Sequence, residues 1–189
     1  MRCLSCHSLS FESFCKVCQE QLLQPTIQKR SLNGLDVYSF FSYQNIEDLL
    51  LTKYTPQGFK VYRALGNLSF RPFIKKFTQE DRRLIYVVGV DENVKHGYSH
   101  VALLTHALRS KNVKILYGKL LAKKSIKYAG KSLQFRRNNP REFFYSGLKG
   151  IEVILVDDII TTGTTLMEAK ETLTKEGVTV LFALTLASL

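Results

Sequence analysis

The sequence predicts an α/β domain: a parallel sheet with helices on both faces, preceded by a small four-cysteine module. Three observations carry this. Short apolar, β-branched runs alternate with longer stretches of helical periodicity, the pattern of strands joined by helical crossovers. The run Val153-Ile154-Leu155-Val156 is apolar without alternation, as in a strand buried on both faces. Every cysteine of the chain falls near its start, as Cys3-x2-Cys6-x8-Cys15-x2-Cys18, which sets that segment apart from the rest.

Taken in order, residues 1–24 form the cysteine module and residues 25–189 the main domain. Pro25 and the polar residues up to Ser31 read as a linker, and Asn33-Gly34 as a turn. A strand is expected over Val37–Tyr43. Asn45 can cap a helix that runs through Leu49, Leu50 and Leu51 to Tyr54, and one helical region covers Phe59 to about Phe77. Leu84–Val90 is the next buried strand, Ser99–Arg109 the helix returning from it, and Val113–Tyr117 a short strand. Val153–Val156, a helix over Leu166–Glu176 and a strand over Val178–Leu186 complete the domain.

With 189 residues, 45% hydrophobic and twelve Phe, the chain can bury a substantial core. The Met-Arg-Cys start carries no apolar leader, and no stretch is long and apolar enough to span a bilayer. A cytoplasmic protein with reduced cysteines is expected. Two CxxC turns brought together make a tetrahedral sulfur cage that suits Zn²⁺, and with all four positions filled by protein the ion is structural. An iron–sulfur cluster uses the same ligands. Two CxxC pairs so close, outside a βαβ context, argue against thiol redox chemistry. His7, beside Cys6, is read as a surface histidine.

The formal net charge is +11, and its distribution is uneven. No acidic residue occurs between Glu92 and Glu142, a stretch that holds Lys95, Arg109, Lys111, Lys114, Lys119, Lys123, Lys124, Lys127, Lys131, Arg136, Arg137 and Arg141. A one-sign field of this length attracts polyanions. Tyr128 and Phe135 stand among these cations, and interleaved basic and aromatic side chains can track a nucleic-acid backbone and stack its bases. Lys123, Lys124, Lys127, Lys131, Phe135, Arg136 and Arg137 are the candidate contacts.

The chemistry concentrates after Val156. Two carboxylates, Asp157 and Asp158, stand where the strand is expected to end, followed by Ile159-Ile160 and Thr161-Thr162-Gly163-Thr164-Thr165 before a helix. Backbone N–H groups of such a turn, the helix N-terminus and the threonine hydroxyls together make an anion cradle. Gly163 lets the backbone approach an anion closely. The carboxylates repel a phosphate, so they face sugar hydroxyls, Mg²⁺ or both. A Walker-type phosphate loop is excluded, since no Gly-Lys-Ser/Thr follows the strand.

Strand, acid pair and small-residue loop together resemble the signature of the type I phosphoribosyltransferases. The resemblance implies that Asp157, Asp158, Thr161, Thr162, Gly163, Thr164 and Thr165 bind phosphoribosyl pyrophosphate (PRPP) with Mg²⁺. With the cysteine module included, nearly the whole chain resembles the ComF family of bacterial competence proteins. That pattern is also met loosely at Lys53-Tyr54, at Val88-Gly89-Val90 with His96-Gly97-Tyr98-Ser99-His100, and at Arg136-Arg137-Asn138 leading into Phe143-Phe144. Relatives carry Pro-Val-Pro and Arg-Gly-Phe-Asn-Gln at the middle site. By the same analogy Val90, Asp91 and Glu92 lie in the pyrophosphate loop, where two acids would need Mg²⁺ between them and a diphosphate.

The ComF resemblance implies handling of incoming single-stranded DNA in natural transformation. A further reading is an interaction module whose zinc knuckle docks a partner protein, such as a competence helicase. The alternative is a catalytic transfer of phosphoribose from PRPP to a nucleobase or related acceptor. In that case Lys124 or Lys127 on a mobile flap would neutralise the leaving diphosphate, and the base-covering hood would come from residues 31–52.

Overall fold

The computed structural model describes residues 1–91, 97–124, 126 and 132–189, with the backbone alone for Leu133, Arg136 and Arg137. Within the cysteine module, α1 (Lys16–Gln21) begins at Cys15, whose sulfur caps the helix by accepting from the Cys18 amide. β1 (Gln28–Leu32) and β2 (Leu35–Ser42) form an antiparallel hairpin through Asn33-Gly34. Both turn residues have positive φ, 45° and 77°, the backbone of a tight turn that matches the strand twist. α2 (Tyr43–Leu51) runs into a 3-10 turn (Thr52–Tyr54), followed by α3 (Pro56–Leu68) and α4 (Phe70–Glu80). β3 (Ile85–Gly89), α5 (His100–Ala107) and β4 (Val113–Leu116) come next. β5 (Leu120–Ala122) and β6 (Phe143–Tyr145) pair as a second hairpin, with α6 (Leu133–Asn138) between them in sequence. β7 (Glu152–Ile160), α7 (Thr164–Lys175) and β8 (Thr179–Ser188) close the chain.

The main sheet runs β1-β2-β8-β7-β3-β4, parallel throughout except at β1. One face packs Phe40, Val87, Ile154, Val156 and Leu184 against α2 to α5, and Cys3, Phe14, Cys18 and Leu23 of the cysteine module join this core. The other face packs Val88, Val153, Leu155 and Ala183 against Leu166, Ala169 and Leu173 of α7 and against the β5–β6 hairpin. Helices therefore cover both faces, and the phosphoribosyltransferase-like α/β architecture expected from the sequence is the one observed.

The chain moves one way along the sheet from β3 to β4 and the other way from β7 to β8. β3 and β7 are neighbours, so their carboxyl ends flank the switch point where open α/β sheets bind ligands.

Four expectations are corrected. The segment read as a linker contains β1, whose residues are almost all exposed; an edge strand of polar residues shows no apolar alternation to read. The helical region over 59–77 is two helices that break at Ser69. Asn45 does not cap α2, which starts at Tyr43 after Ser42 and kinks at Ile46. Most consequentially, β7 does not end at the acids. It stays paired with β8 to Ile160, so Asp157 and Asp158 lie inside the strand and are only 9% and 7% exposed.

Candidate functional site

The four cysteine sulfurs lie within 4.8 Å of one another. Zn–S bonds of about 2.3 Å at tetrahedral angles put sulfurs about 3.8 Å apart, and Cys6 Sγ and Cys15 Sγ are 3.6 Å apart. The backbone amides of Ser5 and Cys15 donate to Cys3 Sγ at 3.4 and 3.3 Å, the polarity a thiolate requires. Hydrogen bonds from the Ser8 hydroxyl and amide hold the Cys6 thiol down to about 6. A four-sulfur donor set of this size fits a structural Zn²⁺ and leaves no open position. His7 is exposed, outside the cluster, and has a φ of 61°.

Successive residues of a strand face opposite ways, so the acid pair divides between the two faces of the sheet. Asp158 points to the α3–α5 side. Lys53 Nζ, from the 3-10 turn, donates to Asp158 Oδ2 at 2.9 Å, and His100 Nε2 lies 3.3 Å from the same oxygen. Burial alone would raise this carboxyl, but the Lys53 charge and the His100 contact reverse the effect and hold it well below the usual range. The Lys53 ammonium is raised in turn, its own desolvation outweighed by Asp158. Asp157 is different. Burial, reinforced by the charge of Asp158, pushes it well above the ordinary value, while the Arg141 charge opposes the rise. Its Oδ1 accepts from the Asp158 amide at 2.8 Å. One carboxylate is thus firmly ionised and its neighbour is biased towards the proton.

The threonine turn follows β7. Gly163 has φ 77°, a conformation that favours glycine, and a Cβ there would lie 2.2 Å from Leu32 Cδ1. Thr162 Oγ1 and Thr164 Oγ1 are 2.9 Å apart, and α7 begins at Thr164. The β1–β2 hairpin leans on this turn: the Arg30 guanidinium donates to the Thr161 carbonyl at 2.6 Å, and Lys170 Nζ donates to the Gly34 carbonyl at 3.2 Å. A groove of about 860 Å³ opens between hairpin and helix, with Arg30, Leu32, Thr162, Thr164, Met167 and Lys170 among its walls.

Beyond β3, Val90 is buried and Asp91 is 5% exposed. The Asp91 carboxylate accepts the Ser99 hydroxyl at 2.6 Å, while the Ser99 oxygen accepts the Ala102 amide and caps α5. Burial raises the Asp91 carboxyl and the Ser99 bond opposes that rise. Asp91 is therefore turned into the protein as part of a helix cap. Glu92 and His96 lie outside the described residues.

Of the basic segment, Lys124 is ion-paired with Glu142, and Lys123 Nζ stands 5.9 Å from the Phe144 ring centroid. Phe135 sits in the first turn of α6, where its amide donates to Ser132 Oγ. Arg136 and Arg137 follow in the same helix. Lys127, Tyr128 and Lys131 lie outside the described residues. The Arg141 and Glu142 amides donate to the Glu168 carboxylate of α7, which fixes the base of this segment beside the threonine turn.

Residues 119–188 match the family model of the phosphoribosyl transferase domain. The matched stretch holds the acid pair, the threonine turn, α7 and the β5–β6 hairpin. Among solved structures, the chain is similar to an adenine phosphoribosyltransferase at 17% identity, covering 91% of this chain and 89% of that one with a TM-score of 0.44. It is similar to the Saccharomyces cerevisiae adenine phosphoribosyltransferase at 20% identity, with 91% and 88% covered and a TM-score of 0.44. Against the Mycobacterium tuberculosis orotate phosphoribosyltransferase the figures are 15%, 91% and 82%, and 0.41. No curated protein sequence matches the chain.

Lys53, Tyr98 and His100 stood out in the sequence only as points of family resemblance. Lys53 meets Asp158 across 105 residues of chain, a contact no local pattern announces. Arg30 gave no signal at all, since a single arginine in a polar run reads as surface.

Proposed function

We propose that this chain binds PRPP with Mg²⁺ in the crevice at the carboxyl ends of β3 and β7. The supporting observation is a buried acid pair, one member ionised, next to a threonine turn at the sheet's switch point. In this reading the amides and hydroxyls of 161–165 take the 5′-phosphate. Asp158 accepts ribose hydroxyls, for which its ionised state suits it, and Mg²⁺ enters on the diphosphate oxygens. Calorimetry with PRPP and Mg²⁺ tests it: wild type binds, and the Asp157→Ala, Asp158→Ala double variant does not. Unchanged affinity in the double variant refutes the assignment.

For the protein's role, we favour handling of single-stranded DNA during natural transformation, in the cytoplasm. The ComF resemblance of the cysteine module and loop supports it, as does the acid-free basic segment. Backbone contacts release counterions, so affinity for single-stranded DNA should fall with salt at a log–log slope of about −0.7 per phosphate neutralised. Changing Lys123, Lys124, Lys127, Arg136 and Arg137 to Gln should flatten that slope and weaken all sequences alike. Fluorescence anisotropy across a salt series reads both, and equal binding by wild type and variant would leave the run a solvated surface.

Catalytic transfer to a nucleobase is supported equally by the matched domain and the crevice. Release of pyrophosphate from PRPP with any common base decides for it. No helix among the described residues is long and apolar enough to cross a membrane.

A further inference from the structure

The crevice poses a charge problem. A diphosphate carries several negative charges, and the Asp91 side chain just after β3 is spent on Ser99 inside the fold. Among the described residues, Lys53 is a cation that the crevice itself holds. Lys53 is two-thirds or more shielded, with 24% of its side chain exposed, and its ammonium rests on Asp158 beside His100.

The turn that presents Lys53 is built in detail. The Tyr98 hydroxyl, from the segment leading into α5, lies 2.8 Å from the Lys53 carbonyl and 3.0 Å from the Thr55 carbonyl. Thr55 Oγ1 caps α3 by accepting the Gly58 amide at 3.3 Å. A Cβ on Gly58 would fall 2.1 Å from the Thr52 carbonyl oxygen and 2.2 Å from the Tyr98 hydroxyl, so only glycine lets the three segments meet. The Tyr54 ring stands 5.3 Å from the Lys53 ammonium. These contacts fix the Lys53 backbone and leave its flexible four-carbon stem to aim the charge. They also tie it to the β3–α5 side of the crevice, away from the threonine turn.

We propose that Lys53 is the diphosphate-binding cation of this crevice, parked on Asp158 until ligand arrives. The inference rests on the PRPP reading and deepens it. With the 5′-phosphate in the threonine turn and the ribose hydroxyls on Asp158, the diphosphate at C1 is directed towards the α5 side, where Lys53 and Tyr98 stand. The ammonium then exchanges a carboxylate partner for a phosphate one, and the ribose hydroxyls and His100 remain as donors to Asp158. No covalent step is involved.

The test compares PRPP with ribose 5-phosphate, which lacks the diphosphate, by calorimetry on the full chain with Mg²⁺. Lys53→Met should cost PRPP at least tenfold more affinity than it costs ribose 5-phosphate, and Lys53→Arg should recover most of that gap. Lys53→Met combined with Asp158→Asn removes both buried charges and guards against misfolding; it should show the same closing of the gap. Equal losses for both ligands would mean that Lys53 acts only through Asp158 and would overturn the inference. Inorganic pyrophosphate separates the two levels. If wild type binds pyrophosphate but not PRPP, and Lys53→Met loses it, the PRPP reading fails while the cation assignment stands. Wild type that binds neither overturns both.

Discussion

Asp158→Asn should destabilise the protein by about 3 kcal/mol at neutral pH, whereas Asp157→Asn should leave it as stable as wild type or more so. The two residues are adjacent, but their environments are opposite. Removing the Asp158 charge leaves the largely shielded Lys53 ammonium without its partner, and breaking one side of a buried pair is costly. Asp157 gains nothing comparable from ionising: burial and the Asp158 charge both oppose it. Asparagine keeps the Oδ1 that accepts the Asp158 amide. The pH dependences differ in sign. The folded-state pKa of Asp158 is depressed, so its contribution is present above about 3.9, the unfolded value, and fades as pH falls towards the folded one. That of Asp157 is raised, so wild type pays for its ionisation as pH rises through the folded value, and the advantage of Asp157→Asn grows in the same direction. Urea denaturation of the three proteins from pH 8 down to about 2 measures both effects. Equal destabilisation by the two variants would show that the pair shares its charge rather than dividing it. Both variants should lose PRPP affinity.

The four cysteines are expected to hold one zinc ion, and stripping it should unfold more than the cysteine module. Structural zinc sites contribute about 10–16 kcal/mol of apparent binding free energy in small peptides at neutral pH. Here Cys3 and Cys18 are buried in the same core as Phe14, Leu23, Phe40 and the residues of α2 to α5. Loss of the ion therefore releases apolar side chains that the sheet's helical face relies on. The expected result is about one zinc per chain by elemental analysis, less in any Cys→Ser variant, and a fall in the melting temperature of the entire chain on chelation. A chelated protein that melts as before, with only thiol reactivity increased, would show that the module is an appendage. Full thiol titration in the untreated native protein would remove the metal altogether.

What could be read along the chain was whatever rests on neighbouring residues. The apolar run at Val153–Val156, the two CxxC pairs and the Thr-Thr-Gly-Thr-Thr turn each carry their chemistry within a few positions. They determined the parallel sheet, the cysteine cage and the place of the threonine turn. β1 escaped because its residues are polar and exposed, and the β5–β6 hairpin because its strands are only three residues long. The acid pair was legible as a pair but not as an environment. Whether β7 stopped at Asp157 depended on β8, since Thr185, Ala187 and Ser188 supply the pairing that carries the strand on to Ile160. That extension buries both carboxylates, and burial makes their charge states depend on what lies opposite. Lys53, brought from the far side of the chain by α2 and pinned by Tyr98, meets one of them and not the other. The sequence by itself determined where the acid pair and the threonine turn fall along the chain. The tertiary structure decided which of the two acids is charged, because a carboxylate removed from water takes its ionisation from its partners.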